Sequence, residues 1–547
     1  NGHNIGLGAR LKPDSVTNFL ANVNYTIGLQ NENRFSGISS VNNQLGMLSN
    51  GNIGQINQSN TYYYHHQLSL TRLSKTKKGR RFTINQSLDI NNRFNDYITN
   101  SSTLYHYPVN SDSLLFQLRS ERIPRTDAST NFNYSEPLSK KFTLRLGGRY
   151  DYSKLNNGIT TFNKPDSISK DYTIYNPSQS SSFSREFNRF YLNGGLEFKY
   201  KKLTLTPAIR TLWQYVNNNL ASLPAPLKES RFDVLPGFGL VYKQLNFNYN
   251  RDIVLPSYNY LIPVSDNTNP YYISEGNPNL APSQRDNLSV NYYFNNPKKS
   301  LNISLYVNGA FIKNDIVQST TLNDQGVQTT IPVNVNGSKN FYVYNNINRQ
   351  YKNKQNFIFS WGLNTNFNYT RNRLLYNGES SWQSTFSYST GPSIGLNWND
   401  KFEWTTNYNF GYNFTQYTSA AFSKLEAIAH YWDNELILRY PKHVIWETQF
   451  NYNYNQNVPA GYPKDIYRWN AAVNFTMLRD ETGVLKISVF DILNSNKSIN
   501  MYVNRNVTTT SQANVLAQYI MATFTYNIRP YGSSKKKVGG RDRMFLF

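Results

Sequence analysis

Polar and apolar residues alternate with period two along many stretches of this chain. In the clearest stretch, every second position is aromatic or threonine: Phe402, Trp404, Thr406, Tyr408, Phe410, Tyr412 and Phe414. The positions between them, from Glu403 to Thr415, are all polar or glycine. Successive side chains of a β-strand point to opposite faces, and the helical repeat cannot produce this spacing. The pattern therefore predicts strands with one apolar and one polar face.

Several of these predicted strands are long. The stretch from Val444 to Asn455 repeats the design, as do residues 142–152 and 357–369. A strand needs about 9–11 residues to cross a bilayer, and no stretch approaches the roughly 18 consecutive apolar residues of a membrane helix. Backbone amides in lipid must all be paired, which strands achieve only in a closed barrel. The sequence therefore predicts an all-β fold, a large antiparallel transmembrane β-barrel.

Short and long connections alternate between the predicted strands. The short ones fall near residues 12–16, 74–81, 139–141, 200–202, 242–244, 296–299, 349–354, 398–401, 440–443 and 479–483. The long ones are polar and fall near residues 31–60, 96–123, 154–186, 216–229, 253–283, 314–332 and 493–514. Outer-membrane barrels have short periplasmic turns and longer external loops. These connections delimit about 21 strands, from Ile5–Leu11 to Leu516–Ile528.

An odd strand number predicts a missing strand. The first connection is short, so the first strand runs inward from the external side. A complete barrel has an even number of strands and both ends in the periplasm, so we expect one more strand before Asn1 and about 22 in total. The predicted boundaries are a barrel over residues 1–531 and a basic tail over residues 532–547.

The composition fits a wall between lipid and water. Aromatic residues make up 15% of the chain, yet only 39% is hydrophobic and the mean hydropathy is -0.61. A barrel strand needs one apolar and one polar residue in turn, which reconciles these values. A soluble all-β array would instead leave large aromatic faces exposed to water. The composition therefore favours the bacterial outer membrane, with lipid and lipopolysaccharide as surroundings.

The formal net charge of +23 is spread along the chain. Basic clusters fall at predicted turns: residues 74–81, 139–141, 297–300 and 534–537. A nucleic-acid-binding protein would gather such charge on one face. The spacing favours solvated turns and headgroup contacts, so no nucleic-acid partner is expected.

No catalytic, cofactor or metal site is predicted. The chain has no cysteine and six histidines, and the adjacent His65 and His66 would face opposite sides of a strand. No glycine-rich phosphate loop precedes a helix. A barrel enzyme would need histidine, aspartate and serine gathered at one rim, which sequence order alone does not reveal. We expect that the chain is not an enzyme.

Charged residues are predicted on the polar face of one strand. Arg145, Arg149 and Asp151 share that face of residues 142–152. They allow two interpretations. The arginines could form an electropositive path for anionic solutes, or the charges could pair with neighbouring strands in a self-neutralising lumen wall. The sequence favours the second.

A short motif resembles one family of outer-membrane proteins. Residues 275–282 read EGNPNLAP and resemble the G-N-P-x-L-x-P element of TonB-dependent receptors, with Gly276, Asn277, Pro278, Asn279, Leu280 and Pro282 as the matching residues. The preceding order, Asn250 to Asp252 and then LPSY, and the later LKISVFDILN also resemble the family. The Asn- and Tyr-rich texture resembles barrels of the Bacteroidetes. The prolines fix φ angles and Gly276 would permit a turn closed to other residues. A structural role is therefore favoured over ligand contact.

The resemblance implies a 22-stranded plugged pore that imports a large or scarce substrate. No segment of the chain resembles the plug or the TonB box, so we expect a plug or another protein to fill the lumen. TonB would then bind through a missing N-terminal region, and a surface lipoprotein is a further candidate partner. Substrate recognition is expected in loops 31–60, 96–123, 154–186 and 253–283. The alternative is a plugless barrel that acts as a scaffold subunit of a larger outer-membrane complex.

Overall fold

The computed structural model describes residues 2–458, 463–478, 481–495, 498–504, 507–513 and 516–527. These residues form twenty-seven strands and three single-turn 3-10 helices (Pro177–Gln179, Tyr258–Tyr260 and Pro297–Lys299). The strands are β1 (Gly2–Leu11), β2 (Thr17–Asn42), β3 (Gly46–Leu73), β4 (Arg81–Tyr105), β5 (Ser111–Pro137), β6 (Phe142–Asn163), β7 (Ile174–Tyr175), β8 (Ser181–Tyr200), β9 (Leu203–Leu220), β10 (Leu227–Tyr242), β11 (Leu245–Val254), β12 (Tyr272–Ser274), β13 (Ser283–Asn296), β14 (Leu301–Lys313), β15 (Asp315–Leu322), β16 (Gln328–Val335), β17 (Ser338–Lys352), β18 (Phe357–Tyr376), β19 (Glu379–Trp398), β20 (Phe402–Tyr417), β21 (Leu425–Leu438), β22 (Val444–Asn455), β23 (Asp465–Met477), β24 (Gly483–Phe490), β25 (Ser498–Asn504), β26 (Val507–Ala513) and β27 (Tyr519–Tyr526). Over this part of the chain, no helix has both the length and the apolar character needed to cross a membrane.

The predicted strand pattern is confirmed. When β7, β12, β15, β16, β25 and β26 are set aside as parts of connections, twenty-one strands remain among the described residues. The first and last of them, β1 and β27, overlap the predicted end strands. The two clearest alternating stretches are β20 and β22. The predicted basic tail, residues 532–547, lies outside the described residues.

The chain divides into two compact units. The first comprises the described residues of 1–288, 310–339 and 372–381, and the second comprises those of 289–309, 340–371 and 382–527. In the first unit, β1 to β6 and then β8 to β11 each pair antiparallel with the next strand along the chain. In the second, β20 to β24 pair in the same way, and β24 also pairs with β27.

Tight turns join these strands where their residues tolerate positive φ. Between β18 and β19 the turn is Asn377-Gly378, with φ of 48° and 81°. An Asn-Gly pair suits such a two-residue hairpin because its twist matches that of the flanking strands. The next short turn contains Asn399 and Asp400, with φ of 53° and 57°. Turn chemistry and alternation therefore agree on the same hairpins.

Three of the predicted recognition loops are largely strand, so that expectation is wrong in its detail. Strand β2 continues to Asn42 and β3 starts at Gly46, so most of residues 31–60 form a paired hairpin. Most of 96–123 is likewise β4 and β5, and 154–186 is strand at both ends. Polar residues occupy both faces of these stretches, so the alternation disappears while the backbone remains paired. Residues 253–283, in contrast, are mainly irregular, as predicted.

Each unit separates apolar from polar side chains on the two faces of its sheet. In the first unit, one face of β6 to β10 exposes Leu146, Tyr150, Phe190, Leu192, Ile209, Trp213, Phe232 and Val234. The Trp213 ring lies 5.9 Å from the Phe190 ring and 4.9 Å from that of Phe232. The opposite face carries charged residues, including Arg149, Asp151 and Arg210. We call these the apolar face and the polar face.

Candidate functional site

A long loop lies against the polar face of the first unit. This loop, residues 255–282, connects β11 to β13 and is called the polar-face loop here. Its residues Leu261, Ile262 and Leu280 pack with buried side chains of β5, β6, β8 and β9: Ile123, Leu155, Ile159, Phe183 and Leu220. Burial of a Leu or Ile side chain contributes about 1.5–3 kcal/mol. Three such residues fix the loop firmly on the sheet.

Strand side chains also bind the backbone of the polar-face loop. Arg185, only 8% exposed, donates from Nη1 to the Pro256 carbonyl oxygen at 2.7 Å and from Nε to Asn218 Oδ1 at 2.8 Å. Gln55 Nε2 donates to the Thr268 carbonyl oxygen at 2.8 Å. A carbonyl buried without a donor is costly, so these contacts specify the path of the loop.

Gly276 is required by close backbone packing, and the predicted reason was wrong. Its φ is not positive, so it does not make a turn that other residues could not make. Instead, its amide donates to the Ile262 carbonyl oxygen at 3.0 Å, and an added Cβ would clash with the Ile262 backbone. Glycine therefore allows two segments of the polar-face loop to touch.

The remaining motif residues guide the chain into β13. The amide of Asn277 donates to the Tyr260 carbonyl oxygen at 2.6 Å, and its Nδ2 donates to that of Pro332 at 3.0 Å. Asn277 Oδ1 accepts from the exposed Asn279 at 3.0 Å. Leu280 and Pro282 are buried and Pro278 is half-buried. Of the six motif residues, only Gly276 lines the cavity described next.

A cavity of about 390 Å³ lies between the polar-face loop and the strands, and we call it the loop cavity. This volume falls within the range of small-molecule sites. The strands contribute Arg93, Tyr97, Arg119, Glu121, Asn157, Ile159 and Gln318 to its lining. The loop contributes Tyr258, Asn259, Tyr260, Ile262, Val264, Asp266, Thr268, Ser274, Glu275 and Gly276.

Charges of both signs meet in the loop cavity. The Arg119 side chain, 4% exposed, lies 3.4 Å from Glu121 Oε1 and 4.0 Å from Asp266 Oδ2. Glu275 Oε1 accepts from Ser265 Oγ at 2.6 Å. Tyrosine and amide groups both donate and accept hydrogen bonds, carboxylates accept them and guanidinium groups donate them, so a polar solute can bind through either role. The cavity can therefore hold a neutral or zwitterionic molecule.

The predicted lumen charges lie outside the loop cavity. Arg145 forms an ion pair with Glu197 of β8, whose Oε1 also contacts Lys199 Nζ at 2.7 Å. Arg149 Nε lies 2.7 Å from Asp151 Oδ1 on the same strand. Arg149 and Asp151 line a second cavity, which Arg145 does not reach. The structure thus separates the three residues into two environments.

No metal-binding cluster occurs in the described ranges of the chain, where no three His, Cys, Asp or Glu side chains come together. His65 Nδ1 lies 2.8 Å from Asp89 Oδ1, and His66 Nε2 lies 2.8 Å from Gln86 Oε1. The two rings follow the strand alternation onto opposite faces. Both histidines therefore have partners in the neighbouring strand.

The strand residues of the loop cavity were not predicted from the sequence. Arg93, Arg119 and Glu121 fall within or beside the predicted loop 96–123, where the alternation is weak. Their common face becomes visible only with the register, which places Tyr97 opposite Arg119 and Arg93 opposite Ile123. An arginine followed two residues later by a glutamate, as at Arg119 and Glu121, was the available signal.

Comparison with known proteins gives one family match. The model of the outer membrane protein beta-barrel family matches residues 73–431. No curated protein matches the chain significantly.

The solved structures to which this chain is similar include receptors and transporters. The siderophore receptor PirA from Pseudomonas aeruginosa is 10% identical, with 96% of this chain and 80% of that chain covered and a TM-score of 0.34. For the FrpB iron transporter from Neisseria meningitidis, the identity is 11%, the coverage 96% and 79%, and the TM-score 0.35. The copper transporter OprC is 9% identical with coverage of 96% and 80% and a TM-score of 0.41.

Proposed function

The chain belongs to the outer membrane protein beta-barrel family, whose model spans more than half of its length, and from this premise we propose an uptake function. It is a protein of the outer membrane with a large antiparallel β-barrel fold. We propose that it resembles TonB-dependent receptors in function and imports a large or scarce substrate. The EGNPNLAP motif at residues 275–282 supports the proposal from the sequence.

The polar-face loop is the observation that carries this proposal. A barrel of this size encloses a wide lumen, which is lined by the polar faces of its strands. A loop held on that face by both apolar and polar contacts narrows the passage and offers a cavity of about 390 Å³ to a solute. Selective import requires such a site, whereas a scaffold does not.

The proposal includes partners. A plug or another protein would fill the rest of the lumen, and TonB would supply energy through an N-terminal segment. Lipid and lipopolysaccharide surround the apolar face, and a surface lipoprotein could cover the external hairpins.

The test compares what cells leave in their medium. Wild-type cells, cells lacking the gene and cells with inactive TonB are grown in one defined mixture of polar nutrients, and the spent media are analysed by mass spectrometry. We expect the same solute to remain in the media of both mutants. Cells that carry Arg93→Ala should leave more of this solute in the medium than cells that carry Arg34→Ala, a change at an exposed arginine outside the cavity.

Two outcomes would contradict this function. Unchanged solute profiles, together with subunits that remain bound on purification, would favour the scaffold alternative. Loss of uptake in the gene mutant alone, with inactive TonB having no effect, would indicate a passive channel.

A further inference from the structure

Four arginines line the second cavity of the first unit, and we propose that this cavity binds a small anion with carboxylate or phosphate groups. Its volume is about 570 Å³, and we call it the arginine cavity. Its charged lining residues are Arg149, Asp151, Arg189, Arg210, Asp252 and Arg285. Guanidinium groups remain protonated at every physiological pH. The cavity therefore carries an excess of positive charge.

Strand register brings these side chains to one place. Arg149 on β6 lies opposite Tyr191 of β8, Asp151 lies opposite Arg189, and Asn193 lies opposite Arg210 of β9. The cavity is completed by Asp252 at the end of β11 and by Arg285 of β13. Residues from five strands thus converge at a site that no short sequence motif could indicate.

The two aspartates neutralise only two of the four arginines. Asp151 pairs with Arg149 and Asp252 pairs with Arg210. Arg189 donates from Nε to the neutral Gln214 Oε1 at 2.8 Å. Within the described residues, neither Arg189 nor Arg285 forms an ion pair with a carboxylate. The self-neutralising wall expected from the sequence is therefore incomplete here, and an anion can supply the missing charge.

Hydrogen-bond donors in the cavity also lack acceptors. Over the described part of the chain, no partner is found for Nη2 of Arg189, Nε of Arg210 or Nε of Arg285. All three atoms are buried, and buried donors in proteins are normally hydrogen-bonded. The planar guanidinium group matches the paired oxygens of a carboxylate or phosphate. Acceptor oxygens on a ligand would satisfy these donors.

An apolar patch beneath the arginines strengthens their field. Leu212, Leu235 and Ile253 are buried together, and Tyr191 packs against them. The Arg210 guanidinium carbon lies 5.5 Å from the centre of the Tyr191 ring. Charges beside such a low-dielectric surface are screened less than charges in water. The arrangement therefore favours an anion over a neutral solute.

This inference deepens the proposed function by naming small anions as the class of cargo. The binding of an anion stands by itself, and only its identification as cargo rests on the proposed function. The test measures binding to the purified protein in detergent micelles by isothermal titration calorimetry. Citrate and pyrophosphate are the probes for carboxylate and phosphate groups, and glucose is the neutral comparison. We expect at least one anion to bind with a dissociation constant of about 1 mM or tighter, and glucose not to bind at this site.

Variants on two strands identify the site. Arg189→Gln and Arg285→Gln should each weaken anion binding about tenfold, the usual effect of losing a charged hydrogen bond. Arg145→Gln is the matched control. Arg145 carries the same charge on the same polar face, in β6, but it does not line the arginine cavity. The control variant should change the affinity less than about twofold. Circular dichroism checks the folding of each variant. If one cavity variant does not fold, the other is sufficient for the test.

The outcomes separate this site from transport. Wild-type protein that binds neither anion overturns the proposal, as does an equal loss of affinity in Arg145→Gln and the cavity variants. If the protein binds an anion but cells that lack the gene have no uptake defect, the proposed function is contradicted and the anion site is retained. Uptake without anion binding would remove only the site.

Discussion

At the scale of single residues, Gly276 shows how one missing Cβ determines the position of a loop. Gly276→Ala would place a methyl group against the Ile262 backbone, so the polar-face loop must shift at a cost of about 1–3 kcal/mol. Limited proteolysis should then cut residues 255–282 faster. Gly158→Ala is the control, because its added Cβ meets no atom within 4 Å. Equal cleavage of both variants would contradict the packing argument.

Arg185 provides a second test at this scale. Arg185→Met retains much of the side-chain volume but leaves the Pro256 carbonyl oxygen without its donor, at a cost of about 1–3 kcal/mol. Hydrogen exchange should become faster at the amides of Asn277 and Gly276, whose bonds hold the same loop. Arg34→Met, which changes an exposed arginine, should leave their exchange unaltered. Unchanged exchange in the Arg185 variant would show that apolar packing alone holds the loop.

Asp14, in the turn between β1 and β2, makes the stability of that turn depend on pH. Its Oδ1 accepts from the amides of Val16 and Thr17 at 3.0 and 2.6 Å, and the bond from Val16 contributes most to lowering the pKa of Asp14 below 3.8. A depressed folded pKa means that the stabilisation is present above 3.8 and is lost as the pH falls through the folded value.

The pH prediction follows from that sign. Protection of the Val16 and Thr17 amides from hydrogen exchange should be complete at neutral pH and should fall below pH 3.8. Asp14→Asn retains an acceptor oxygen without a titrating group, so its protection should not change over that range. A fall of the same size in both proteins would assign the effect to another group.

At the scale of elements, the alternation itself can be tested on β22. Phe450 lies on the apolar face of this strand and its neighbour Gln449 on the polar face, where Nε2 donates to Asp433 Oδ1 at 3.1 Å. An arginine that faces lipid costs about 2–4 kcal/mol near the bilayer centre. Phe450→Arg should therefore reduce the yield of folded protein in membranes, and Gln449→Arg should not. Equal yields would reverse or abolish the assignment of faces.

The elements also show what the sequence could predict. The period-two alternation of apolar and polar residues predicted β20 and β22, because lipid on one side and water on the other favour opposite residue types. The same pattern failed at residues 31–60, because polar residues and glycine occur at both alternating positions there while the backbone remains paired. The two cavities were beyond prediction, because Arg93 and Asp266, or Arg189 and Arg285, meet only through strand register and the folding of the polar-face loop.

At the scale of the whole molecule, the barrel fold of the family implies that the polar face lines a lumen. In the proposed function, the polar-face loop obstructs that lumen. Replacement of residues 263–274 by a short Gly-Ser linker should increase the entry of small hydrophilic antibiotics, measured as a lower inhibitory concentration in cells. Removal of residues 43–45 at the tip of the β2–β3 hairpin is the control. An unchanged concentration in the linker variant would show that the polar-face loop does not limit the passage of small solutes.

The side chain of Asn334 joins two parts of this architecture. Its Oδ1 accepts from the Ala281 amide at 2.8 Å, and its Nδ2 donates to the carbonyl oxygens of Ala281 and Asn314 at 3.0 Å. In addition, β12 within the loop pairs in parallel with β16. The β15–β16 hairpin and the polar-face loop are therefore joined by hydrogen bonds and should move together. A force or a molecule that displaces the hairpin alone would move the walls of the loop cavity without entering it.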